Sequence, residues 1–153
     1  MTAFQKPVRA THHCRHYSYN LAPAEGPPGP VCAINACDMS APGASAPCMP
    51  GAAGCPARAD YTEEERAAWQ AWTHEYFARL TRAISALPAP IPLRSSGKVG
   101  CPNCGGELGY TRWAGGAWVN CSTADCCSGR FSIESGADWP TPPARHPATN
   151  IGE

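Results

Sequence analysis

Large aliphatic side chains are scarce in this sequence of 153 residues, and much of its 43% hydrophobic fraction is alanine. That excludes one extensive apolar core, and modules too small to build one usually depend on a metal ion or on disulfides. Long apolar runs are missing too. None reaches the ~20 residues of a membrane-spanning helix, so no membrane association is expected. Residues 1–19 contain no apolar stretch and carry Lys6, Arg9, Arg15 and three histidines, unlike a secretory signal peptide. The chain is therefore expected in the cytoplasm. An excess of either charge is absent. Residues 1–59 carry four basic and two acidic side chains, residues 60–90 three and five, and residues 91–153 five and five. This disfavours a protein that wraps duplex DNA through many phosphate contacts. It leaves room for recognition of a few bases or of a protein. The patterns of catalysis are lacking as well. There is no His-Glu-x-x-His, no His-x-Glu with Pro-Cys-x-x-Cys, and no Gly-rich phosphate loop. With no acid–base constellation, the expected class is non-enzymatic.

What the sequence has in quantity is cysteine, ten residues of it, with 17 prolines and 15 glycines. In a reducing compartment clustered thiols are more often metal ligands than disulfides. The clearest cluster reads Cys101-Pro102-Asn103-Cys104-Gly105-Gly106, followed by Cys121-Ser122-Thr123-Ala124-Asp125-Cys126-Cys127. Two residues between cysteines let both thiolates reach one ion while backbone N–H groups point at the sulfurs, and Gly105 permits the positive φ that follows. The expected zinc ligands are Cys101, Cys104, Cys121 and Cys126, with Cys127 as the alternative to Cys126. Between the pairs, residues 107–113 and 117–121 read as strands joined at a Gly115-Gly116 turn. That register sets Trp113 opposite Trp118, Arg112 opposite Val119 and Tyr110 opposite Cys121. A third short strand follows through Phe131 and Ile133. Residues 101–135 are thus expected to form a zinc ribbon.

A looser group occupies residues 12–59, where Cys14, Cys32, Cys48 and Cys55 make the best four-ligand set. His13 or His16 could substitute, and Cys37 is the spare. An irregular segment this long is uncommon unless something ties it together. Two zinc ions per chain are therefore expected. Four thiolates would also suit an iron–sulfur cluster, and the plain alternative is a Pro/Gly/Ala tract with scattered cysteines.

The remaining segments connect these groups. Residues 1–11 read as a flexible arm. Residues 60–87 read as an amphipathic helix, spanning about 63–86. Thr62 and Glu65 form a capping box, acidic residues fill the first turn, and Pro88 stops it. Trp69, Trp72, Tyr76, Leu80, Ile84 and Leu87 recur on one stripe, either as a lid on the N-terminal metal module or as a partner seam. Residues 88–100 read as a Pro/Ser/Gly linker and 136–153 as a disordered tail. The expected fold class is small α+β and metal-stabilised: a loop-rich metal module, one long helix, and a β-hairpin ribbon.

Cys101-Pro-Asn-Cys-Gly-Gly-Glu-Leu with the later Cys121-Ser-Thr-Ala-Asp-Cys126 resembles zinc ribbons, including those at the C-terminal ends of bacterial topoisomerases. Cys14-Arg15-His16-Tyr17-Ser18-Tyr19, Pro47-Cys48, and Cys55-Pro56 before Tyr61-Thr62-Glu63-Glu64-Glu65-Arg66 resemble uncharacterised small cysteine-rich proteins of proteobacterial phages and prophages. That resemblance implies a zinc-binding accessory protein in a bacterial host cell. Cys37 and Cys127 have no counterpart in it. The partner reading follows from Tyr110, Arg112, Trp113, Trp118 and Arg130. Hairpin aromatics can stack on unpaired bases and arginine can reach phosphates, so single-stranded nucleic acid is the favoured partner. The alternatives are an adaptor docking on a host or phage complex through Trp69, Trp72 and Tyr76, and a Cys/His metalloenzyme or iron–sulfur protein. The sequence does not fix an oligomeric state.

Overall fold

Residues 4–141 are described by a computed structural model. Its architecture is small α+β, with one helix and two antiparallel sheets among the described residues. The chain divides into two compact units, residues 7–72 and residues 1–6 with 73–153. The division falls inside the helix.

In the N-terminal unit, β1 (Tyr17–Asn20) and β2 (Gly29–Cys32) pair antiparallel with Tyr17 facing Cys32. The Pro- and Gly-rich residues between them form bends, since proline offers no ladder donor. A short 3-10 turn follows at Ala46–Cys48. Helix α1 (Glu63–Ser85) begins in this unit. Its start is a capping box: the Glu65 N–H donates to the Thr62 hydroxyl at 3.1 Å, and the Glu65 carboxylate accepts the Thr62 N–H at 2.8 Å. Trp69 and Trp72 stack with ring centroids 5.3 Å apart.

The C-terminal unit is a four-stranded antiparallel sheet in sequential order: β3 (Ser95–Gly100), β4 (Glu107–Trp113), β5 (Gly116–Cys121) and β6 (Ser128–Ser132). One face is buried against the second half of α1. Leu80, Ala83, Leu87, Ile91, Leu108 and Val119 join the cysteines in one core, with Phe4, Ile84, Val99, Tyr110, Phe131 and Trp139 packed around it. Tyr76 belongs to this unit, because its hydroxyl donates to the Ser128 carbonyl and accepts the Ser128 N–H, both at 2.8 Å.

Four expectations change. The segment expected as a linker is structural: Ile91 is buried, and residues 95–100 form β3 along β4. Small residues fit there because the Tyr110 ring lies across Gly97, where a Cβ would stand 2.3 Å from the Tyr110 hydroxyl. The start of the expected tail is packed as well. Ala137 accepts a bond from Arg112, Trp139 accepts the Ile91 N–H, and the Trp139 ring packs on Phe131 at 5.3 Å. Residues 142–153 of that tail lie outside the described residues, as do residues 1–3 of the expected arm. Within the arm, Phe4 lies under the Arg79 guanidinium at 4.4 Å and Ala10 is buried. Finally, the hairpin turns at Ala114-Gly115 rather than at Gly115-Gly116. The ladder slips by two, so Trp113 faces Gly116, Arg112 faces Ala117, Tyr110 faces Val119 and Leu108 faces Cys121. A slip of two preserves which residues share a face. Trp113 and Trp118 stay on one face, as diagonal neighbours rather than direct partners.

Candidate metal centre

The first knuckle precedes β4. The Cys101 N–H donates to the Gly106 carbonyl at 2.7 Å, and the Gly105 N–H returns to the Cys101 carbonyl at 2.8 Å. Gly105 takes a φ of 72°, which lets Cys104 and the strand behind it turn back on the loop. The second knuckle follows β5. The Cys121 N–H donates to the Cys127 carbonyl at 3.0 Å and the Cys126 N–H to the Thr123 carbonyl at 3.2 Å, with Asp125 at φ 56° between them. Helix α1 fixes this loop from behind. The buried Arg79 donates through Nε to the Cys126 carbonyl at 2.8 Å, and Asn103 of the first knuckle donates to the Arg79 carbonyl at 2.9 Å.

Together these loops bring the sulfurs of Cys101, Cys104, Cys121 and Cys126 within 4.8 Å of one another. The Cys101 and Cys126 sulfurs are 3.7 Å apart and those of Cys104 and Cys121 3.4 Å apart. A tetrahedral metal–thiolate centre with bonds of about 2.3 Å has sulfur–sulfur edges of about 3.8 Å, so the cluster could hold a metal ion. Backbone N–H groups supply further contacts to sulfur: Gly106 to Cys104 and Thr123 to Cys121, both at 3.4 Å.

The four thiols are electrostatically unequal. Burial raises the Cys104 thiol, but the Thr123 hydroxyl at 3.2 Å, the Gly106 N–H and the Cys121 and Cys101 thiols outweigh it and leave Cys104 lowered to about 6. Burial dominates at Cys121 and at Cys126 and pushes both up. A cation that replaces the shared protons relieves that burden, because metal binding to thiols releases protons. Cys127 stands just outside the group of four. Its sulfur is 4.0 Å from that of Cys126, and burial followed by the neighbouring Cys101 pushes its thiol up to about 11.

The cysteines of the N-terminal unit differ. No group that includes Cys14, Cys32, Cys48 or Cys55 reaches the same mutual separation among the described residues. Cys14, Cys32 and Cys48 are buried, Cys55 is half-buried, and Cys37 is exposed with its sulfur 3.3 Å from that of Met39. Neither His13 nor His16 joins a group at that separation, and the His13 ring stacks on Tyr17 at 5.5 Å.

The residues read as a nucleic-acid surface split between the two faces of the sheet. Trp113, Trp118 and Arg130 converge on the outer face. Trp118 is 44% exposed, faces Arg130 across the β5–β6 ladder, and lines a shallow depression with Trp113 and Arg130. The Arg130 guanidinium lies over the Trp113 ring at 5.4 Å. Arg112 is instead buried on the inner face and cannot reach a phosphate. It donates to the carbonyls of Trp113, of Gly116 at 3.0 Å and of Ala137 at 3.1 Å, joining the hairpin to the segment after β6. Tyr110 alternates with Trp113 along the strand and lies across Gly97, yet it also borders the depression beside Trp118. The reason for the split is the pleat: Tyr110 and Arg112 alternate with Thr111 and Trp113, so a single strand cannot present all of them to one ligand. Sequence reasoning missed Lys98 and Thr111, which lie beside Trp118 in an adjoining depression. Their signal was available only with β3 recognised as a strand.

Compared with protein-family models, with characterised proteins and with solved structures, the chain finds no match.

Proposed function

We propose that this chain is a non-enzymatic structural-zinc protein whose C-terminal sheet contacts single-stranded nucleic acid through its outer face. The observation that carries the zinc half is the set of four cysteine sulfurs within 4.8 Å of one another. Four thiolates fill every position of a tetrahedral zinc ion and leave none open for substrate, the arrangement of a structural rather than a catalytic ion. Cys101, Cys104, Cys121 and Cys126 would hold the ion, and the ion would lock the two knuckles to each other.

The contact with nucleic acid is supported by Trp118, a large aromatic left 44% exposed beside Trp113 and Arg130. Bases stack on such rings without sequence preference, and nearby cations follow the backbone. Lys98 on the same face is held by Glu107 at 2.8 Å. That keeps the local field weak, in line with short single-stranded contacts rather than duplex wrapping. The adaptor reading has less support, since the Tyr76 hydroxyl is engaged by Ser128 and the Trp69 and Trp72 rings stack on each other. The role as an accessory protein of phage or prophage type rests on the motif resemblance of residues 14–19 and 47–66.

The test is fluorescence polarisation of a labelled single-stranded oligonucleotide at low salt, with elemental analysis of the same preparation. Zinc-loaded protein should bind the single strand more tightly than the duplex, and Trp118→Ala should weaken binding by about 1–3 kcal/mol, the worth of one stacked base. Zinc-loaded protein that ignores the single strand sinks the contact. Metal-free, folded protein sinks the zinc.

A further inference from the structure

The N-terminal unit poses a problem that its amino acids alone do not solve. Among residues 7–72 the buried positions are Ala10, Cys14, Cys32 and Cys48. No Leu, Ile, Val, Phe or Trp is among them. Yet the segment is ordered through a two-stranded ladder, a 3-10 turn and a series of tight turns. Fixing that many residues in turns carries a large entropic cost, and one alanine with three thiols offers little apolar area against it. Small units in this position are stabilised by a metal or by disulfides. The ten cysteines are free thiols.

The backbone around these thiols is folded into turns that hydrogen bonds tie to one another. Cys14, Cys32 and Cys55 each open a turn whose carbonyl accepts the N–H three residues on, from Tyr17 at 3.0 Å, Asn35 at 3.1 Å and Arg58 at 3.1 Å. The β1–β2 register sets Tyr17 opposite Cys32, so the chain enters the hairpin at Cys14 and leaves it at Cys32 on the same end. The Cys14 N–H donates to the Cys48 carbonyl at 2.9 Å, which places the third cysteine beside the first. Arg58 ties the fourth: its guanidinium donates to the carbonyls of Pro47 at 2.6 Å and Met49 at 3.0 Å, on either side of Cys48. Asn35 takes a φ of 50° in the turn that Cys32 opens. The sulfurs of Cys14, Cys32, Cys48 and Cys55 do not all lie within 4.8 Å of one another, so a cation would draw them together on binding.

We propose that Cys14, Cys32, Cys48 and Cys55 bind a second thiophilic divalent cation, which takes the place of a hydrophobic core in residues 7–72. Cys37 stands outside the set, exposed and turned toward Met39. The inference uses no feature of the C-terminal centre and stands or falls without it.

Cobalt(II) titration of the full chain, purified reduced, reads each site through its thiolate charge-transfer absorbance. Two cobalt ions per chain are expected. Cys48→Ser should lower the count to one, Cys104→Ser should lower it to the other one, and Cys37→Ser should leave two. Cadmium NMR of the unmutated chain guards against a variant that merely fails to fold, and should give two resonances in the all-sulfur range. A single ion that Cys104→Ser abolishes overturns the proposal. So does a Cys48→Ser chain that still binds two, or a mass loss showing disulfides among Cys14, Cys32, Cys48 and Cys55 in the native protein.

Discussion

Leu80, Leu87, Ile91, Leu108 and Val119 are buried in the C-terminal unit beside the four cysteines that could hold a metal ion, whereas the N-terminal unit buries Ala10, Cys14, Cys32 and Cys48. One unit has an apolar interior with a candidate metal centre at its edge. The other has thiols for an interior. The same residue type therefore has two tasks. At Cys101–Cys126 a cation would lock loops onto a sheet and helix that already exclude water. At Cys14–Cys55 it would be the reason the loops adopt one arrangement. Dependence on metal should follow that difference.

Chelation is the strongest way to break the comparison. Zinc supplies about 10–16 kcal/mol of apparent folding free energy in small metal domains, more than most domains possess in total. A strong chelator should erase amide protection throughout residues 14–58 while residual helix and sheet persist around Leu80, Leu108 and Val119. Residue-resolved hydrogen exchange reads this directly. If the two units lose protection together, or the N-terminal one outlasts the other, the distinction is wrong. The converse perturbation is Leu108→Ala. Leu108 is fully buried between sheet and helix, so the change should cost about 2–5 kcal/mol by cavity formation. It should do so in the C-terminal unit alone, leaving protection at Cys14 and Cys48 unchanged.

The difference also explains which features were legible in the sequence. The grouping of Cys101, Cys104, Cys121 and Cys126 was, because a Cys-x2-Cys spacing has few other physical uses and both loops are local. The capping box and the end of α1 were, because Thr62, Glu65 and Pro88 act on their immediate neighbours. Strand β3 was not. Ser95, Ser96 and Gly97 have the composition of a flexible linker, and they become a strand because Tyr110, thirteen residues beyond Gly97, needs a neighbour without a side chain. Ile91 and Trp139 were misread in the same way: each sits among prolines, and each is placed by a partner distant in sequence. The hairpin register failed for a local reason, since Ala114-Gly115 and Gly115-Gly116 are both acceptable two-residue turns. Pairing with β6 on the far edge completes the register with Gly116 in the sheet. The burial of Arg112 follows from that register and could not precede it.

Arg112 gives a smaller test, confined to the C-terminal unit. Its guanidinium serves three carbonyls, one of them in the segment after β6. Arg112→Met retains the buried stem but leaves those acceptors unpaired, at about 1.5–3 kcal/mol for bonds to a charged group. Urea denaturation should detect that loss, with loosening of residues 137–139 visible in hydrogen exchange. If nucleic-acid affinity fell while stability held, Arg112 would be a contact residue after all and the assignment of faces would be wrong.

The smallest effect lies in the N-terminal unit and sharpens the comparison most finely. The Arg15 guanidinium, 2.5 Å from the Glu65 carboxylate, holds Glu65 below its ordinary value of 4.5, with the Thr62 N–H adding to the shift. A carboxyl lowered in the folded state stabilises that state above its ordinary pKa. The contribution fades as pH falls through 4.5 and is gone below the lowered value. Solvent screens this half-exposed pair, so its contribution to stability is slight. Its value is as a reporter, because Arg15 directly follows Cys14 and Glu65 lies in the first turn of α1. Side-chain NMR should place the Glu65 midpoint below 4.5, and Arg15→Gln should raise it toward that value. If the thiols hold this unit through a metal, chelation of the unmutated chain should raise the midpoint by the same amount, since Arg15 would be released with Cys14. A midpoint that moves with Arg15→Gln but not with chelation would mean that something other than the metal keeps Arg15 against the helix.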